Sequence, residues 1–215
     1  MSRAMQNPAS SALSVPVGPF PRLCQAFLLL GRVSEHHNTT YPKEADRFAQ
    51  ATALYVDIQA LIFKLNEEQS SASTFALAAP IGLAFSTLCA LCEPYSCPAG
   101  SNTSSSSAAD EMVRKALDGL KASADGVVIF ANHLHTKTRT QGLNSISPII
   151  MDAIYCAATH FAWLVRENGA EDNKEKLEVL RACLKRFGGR WHNAAEYLRI
   201  LEAQEFTYDV SAASL

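Results

Sequence analysis

The chain has 215 residues, 48% of them hydrophobic, and a formal net charge of −2. A chain of this size buries roughly 70% of its unfolded surface, enough for one domain with its own core. The near-neutral charge gives no bulk electrostatic case for nucleic-acid binding, and six cysteines over this length do not make a disulfide framework.

Residues 1–20 are rich in Ser, Pro, Ala and Asn and are expected to be a disordered segment. They contain no continuous apolar stretch of the secretory type, so reduced thiols in the cytosol or nucleus are the expectation, and the sequon at Asn38 has no role. From Pro21 the pattern turns helical: Leu23, Phe27, Leu30 and Val33 recur at three- and four-residue steps. His36 and His37 close this helix, where a cation complements the C-terminal end of the helix dipole; both are read as surface residues. Pro42 opens a second helix. Phe48, Ala51, Tyr55, Ile58, Ile62 and Leu65 form its inner stripe, with Leu54 and Leu61 beside it and Gln50, Asp57 and Lys64 on the solvent face.

The run 72–92 is apolar all round and free of charge, which predicts a buried helix bent at Pro80; its Ala, Ser and Thr content and the lack of flanking positive charge argue against a membrane span. This helix runs into CALCEPYSC, where Cys89, Cys92 and Cys97 have the spacing C-x2-C-x4-C. A closed structural zinc site takes four ligands, and no second pair follows at a suitable distance. Packing as small buried hydrophobes is therefore the reading. A Ser-rich loop over 96–109 leads to a fourth helix, about Asp110 to Thr136, with Met112, Ala116, Leu120, Val127, Ala131 and Leu134 inward and a weak spot at Asp125-Gly126. His133 and His135 point about 200° apart on a helix and are read as surface residues.

Ser147 and Pro148 predict the cap and first turn of a fifth helix ending near Gly169. His160 lies on its apolar side and is read as a core histidine. Leu177, Leu180, Leu184 and Phe187 mark a sixth helix, ended by Gly188-Gly189. Its basic residues Lys174, Lys176, Arg181, Lys185, Arg186 and Arg190 are mixed with Glu175 and Glu178, as on a solvated face. A last helix places Trp191, Ala195, Leu198 and Leu201 on one side, and 207–215 is expected to be a disordered tail. No convincing strand alternation occurs. The prediction is an all-α fold, one domain of about seven packed helices over 21–206.

No phosphate-binding glycine loop, G-x-S-x-G, H-E-x-x-H or D-D-x-x-D-like cluster is found. No catalytic, cofactor-binding or metal-ligating residue is assigned, and no cofactor is expected. A catalytic or ligand-carrying alternative would need Asp152, Tyr155, His160 and Arg166 to converge in one pocket.

Two stretches add a more specific signal. The first is AFLLLGRVSEHHN (26–38), with Leu29-Leu30-Gly31-Arg32-Val33, followed by the helix over 44–68. The second is SPIIMDAIYCAATHFAWLVREN (147–168), with Ser147-Pro148 and Ala157-Ala158, followed by the Leu-rich helix, Trp191 and Tyr197-Leu198. In order and spacing they resemble the later part of the regulatory, middle homology region of fungal zinc-cluster transcription factors. The resemblance spans roughly residues 20–206. The family binds DNA through two C-x2-C-x6-C halves with basic residues between them, and CALCEPYSC does not match that pattern. The resemblance thus implies a regulatory domain without its DNA-binding head, nuclear, non-catalytic, partnered by other transcription factors or by a second copy of itself. Contact with DNA would be indirect, and no membrane association is implied.

Overall fold

This computed structural model describes residues 18–70, 76–96, 107–144 and 146–213; among them are seven α-helices, one 3-10 turn and no strand. The helices are α1 (Pro19–Asn38), α2 (Glu44–Ser70), α3 (Ala78–Cys92), α4 (Ser107–Gln141), α5 (Ile150–Asn168), α6 (Glu171–Gly188) and α7 (His192–Ala213). The all-α expectation and its number of helices hold. The chain divides into two compact units, residues 1–116 and 117–215, and α4 runs across the division.

In the first unit α1 and α2 lie antiparallel and both pack on α3. α3 is buried at almost every position, as its apolar composition requires. Pro80 does not bend it. The helix begins at Ala78, so Pro80 occupies the first turn, where its missing N–H would have had no helical acceptor. Residues 71–75, the start of the predicted apolar helix, lie outside the described residues, as does most of the Ser-rich loop.

The inner faces of α1 and α2 differ from the predicted stripes. On α1 the buried positions are Arg22, Ala26, Leu29, Val33 and His36, and Phe27 is exposed. The rotation is set by Arg22. Its Nε and Nη2 donate to Oε2 and Oε1 of Glu68 on α2 at 2.9 and 2.5 Å, and its Nη1 donates to Oε1 of Gln25 at 2.8 Å. A fully buried guanidinium demands such a planar, paired geometry. On α2 the buried stripe is Ala51, Leu54, Ile58, Leu61 and Leu65. Phe48, Tyr55 and Ile62 are half-buried, and Asp57 faces α1, held by Arg32 at 3.0 Å.

In the second unit α5 and α6 form an antiparallel pair against which α7 packs. The predicted stripe of α6 is buried at Leu177, Leu180, Leu184 and Phe187, each worth about 1.5–3 kcal/mol of transfer free energy. α5, against which α6 packs, buries Ile150, Ile154, Ala157, Ala158 and Phe161. Gly169 ends α5 in the left-handed conformation (φ 60°), where its N–H bonds the Val165 carbonyl. Gly188 lets α7 come close: a Cβ there would lie 3.3 Å from Ala195. α5 starts at Ile150 rather than at Pro148, because Ser147 and Pro148 form a preceding turn. α4 is continuous through Asp125-Gly126, and 127–130 are helical. α7 continues to Ala213, through most of the segment expected to be a tail.

Candidate functional site

A dense polar cluster lies at the C-terminal end of α1, and it centres on His36. The surface reading of this residue is wrong: it is 1% exposed. Its Nδ1 lies 2.7 Å from the Tyr41 hydroxyl and its Nε2 lies 2.6 Å from the Tyr95 hydroxyl. The Tyr41 hydroxyl donates to Oε1 of Gln50 on α2, and Nε of Arg47 donates to the Tyr95 hydroxyl at 3.0 Å. Each hydroxyl has one proton, so these bonds fix the rest. Tyr41 gives its proton to Gln50 and must accept from Nδ1–H of His36. Tyr95 accepts from Arg47 and gives its proton to Nε2. The result is a single directed chain, Arg47 to Tyr95 to His36 to Tyr41 to Gln50, with neutral His36 in the Nδ1–H tautomer.

Local sequence explains the assembly. Asn38 and Thr39 return their side chains to the carbonyls of Ser34 and Glu35 and close the last turn of α1. The chain then turns through Tyr41 into α2, which supplies Arg47 and Gln50 from its first two turns. Tyr95 comes from CALCEPYSC. Glu93–Tyr95 form a 3-10 turn after α3, and this turn carries the ring back against α1. Phe48 meets the ring edge-on at 6.1 Å, and the Arg47 guanidinium lies 4.9 Å from its centroid. His37, which is exposed, reaches the Ala90 carbonyl with Nε2 at 3.0 Å.

The electrostatics keep the chain neutral at its centre. Burial, then the neighbouring His37 and Arg47, hold the His36 imidazole below its ordinary 6.5. Burial holds the Tyr95 phenol above its ordinary 10, with Arg47 opposing. The lone pair of His36 that a general base would use is occupied by Tyr95, so the cluster ties three segments together and offers no free base to a substrate.

Cys89 and Cys92 pack as expected, as buried thiols, and the Cys92 thiol is pushed up to about 12 by burial and then by Cys89. Among the described residues no three His, Cys, Asp or Glu side chains are grouped as metal ligands would be. Cys97 lies outside the described residues.

The four residues of the catalytic alternative do not meet. Asp152 is exposed and accepts from the Tyr197 hydroxyl at 3.3 Å. Tyr155 stacks on the Tyr197 ring, with centroids 4.6 Å apart. Arg166 pairs with Glu167 at the exposed end of α5. His160, half-buried against Phe161 and Trp163, is held below its ordinary range by burial, with Asp125 opposing. Three of the six basic residues on and just after α6 form ion pairs within the fold. Lys174 reaches Glu171, Lys176 bridges Asp125 and Asp172 at 2.9 and 2.8 Å, and Arg181 bonds Glu178 and Glu205. His133 and His135 are exposed, as expected. No helix among the described residues is long and apolar enough to cross a membrane.

Pattern reading missed Arg22, Glu68, Tyr41, Arg47, Gln50 and Tyr95. One signal for Arg22 was available: it shares the 3–4 step of Ala26, Leu29 and Val33. No family model, curated protein or solved structure matches the chain.

Proposed function

We propose that this chain is a non-catalytic helical interaction module that acts in transcription regulation, as the regulatory domains of fungal zinc-cluster factors do. The transcriptional part of this reading rests on the order and spacing of the sequence stretches described above. The interaction part is supported by one structural observation: the best-built polar cluster spends its donors and acceptors on the protein itself, while large apolar side chains stand on outer helix faces. Its partners are other transcription factors or a second copy, with contact to DNA only through them, and its place of action is the nucleus.

Tethering tests the reading. Fused to a heterologous DNA-binding domain in a fungal host, the chain is expected to raise or lower a reporter several-fold, and a fluorescent fusion is expected in the nucleus. An unchanged reporter together with exclusion from the nucleus would refute the transcriptional assignment.

A further inference from the structure

α2 carries two apolar stripes. One faces the core at Ala51, Leu54, Ile58, Leu61 and Leu65. The other is exposed: Ala49, Ala53, Val56, Ala60 and Phe63, at steps of four, three, four and three residues. This is the spacing with which a helix presents one continuous seam to another helix. Val56 is 59% and Phe63 72% exposed among the described residues.

α1 repeats the pattern. Phe20, Cys24, Phe27 and Gly31 are exposed at steps of four, three and four, with Leu28 beside them. The Arg22–Glu68 and Arg32–Asp57 pairs fix α1 and α2 side by side and antiparallel, and α3 lies beneath both. The two outer stripes therefore face the same way, off the layer opposite α3.

We propose that this two-helix face is the self-association surface of the chain and that its occupant is the same face of a second copy, related by a two-fold axis. Area and charge support that occupant. Phe20, Phe27 and Leu28 are 74%, 46% and 50% exposed. With about 200 Å² for a fully exposed Phe and smaller side chains in proportion, the face presents about 700 Å² per copy. Two copies together bury about 1,400 Å², within the range of stable, specific interfaces. Neither stripe contains a charged residue. Of the charges that border them, Arg32 pairs with Asp57 at 3.0 Å and Lys64 with Glu67 at 2.8 Å, while the exposed Glu35 and Asp46 stand at the rim. An identical copy thus meets an apolar centre free of charge, the condition an isologous contact needs, with charges confined to the rim. The inference stands on geometry and does not depend on the transcriptional assignment.

Sedimentation equilibrium of the purified full chain, from low micromolar to several hundred micromolar, tests it. The wild type is expected to be a dimer over most of that range. Val56→Glu with Phe63→Glu is expected to weaken association about 100-fold or more, because each dimer would bury four unpaired carboxylates. Unchanged helicity by circular dichroism checks the fold, and Phe27→Glu serves as an independent variant on α1. A monomeric wild type throughout the range would overturn the proposal, as would a dimer that survives all three substitutions. A monomer that binds a different protein through this face would also overturn it.

Discussion

Replacing Tyr95 by Phe removes one oxygen and leaves the ring in its packing against Phe48. The oxygen makes two bonds, to Nε2 of His36 at 2.6 Å and from Nε of Arg47 at 3.0 Å. The two losses differ in cost. Arg47 is half-buried, and water can take over its N–H for a small fraction of a buried bond. His36 is sealed, and its Nε2 lone pair would be left without a donor, a penalty of about 1–3 kcal/mol. The expected total is about 2 kcal/mol. Urea unfolding followed by circular dichroism would show a lower midpoint at an unchanged slope, which separates lost stability from a changed unfolded state. Tyr41→Phe is the companion variant: it leaves Nδ1–H of the same sealed ring without its acceptor and should also cost about 1–3 kcal/mol. A change below about 0.5 kcal/mol for both variants would refute the directed chain through His36.

Three further outcomes are expected. Glu68→Ala leaves the buried Arg22 guanidinium without its carboxylate and should cost about 3 kcal/mol, read by the same unfolding experiment; a loss under 1 kcal/mol would mean that Arg22 is reached by water. Leu180→Ala or Leu184→Ala should cost about 2–4 kcal/mol in the second unit, and a change under about 0.5 kcal/mol would mean the stripe is not core. His36 and His160 are both held below 6.5 in the folded chain, so the unfolded chain binds protons first as pH falls. Stability should be steady above about 6.5, decline below it, and level off once the folded imidazoles also protonate. A His36→Gln variant should lose part of that decline, and an identical slope would show that His36 does not contribute.

The helices themselves were legible because their apolar residues recur with the helical period. The stripe of α6 and the Gly169 stop of α5 were read correctly for that reason. The rotation of α1 and α2 was not legible. Apolar runs such as Phe27 to Leu30 offer several equivalent inner faces, and a hydrophobicity rule places Phe27 inside and Arg22 outside. The structure reverses both, because Arg22 and Glu68 lie 46 residues apart and their pairing leaves no local pattern. The same holds for Asp57, which looks like part of a solvent face and instead pairs with Arg32 of α1, while Gln50 is exposed as expected. The second stripe of α2, built mostly from Ala, was hidden because alanine fits any face of a helix. His36 looked like a surface cap because its partners come from two later segments. CALCEPYSC is informative for its tyrosine rather than its cysteines: Cys89 and Cys92 fill space, and Tyr95 completes the buried chain.

The claim that this chain works through its outer helix faces can be tested most directly at Cys24, the exposed thiol on the α1 stripe. Its alkylation rate, read by peptide mass spectrometry across a range of protein concentrations, reports whether that face becomes covered. The account predicts a rate that falls about tenfold or more as the dimer forms, and a rate that stays high in the Val56→Glu, Phe63→Glu variant. A rate independent of concentration in the wild type would contradict it.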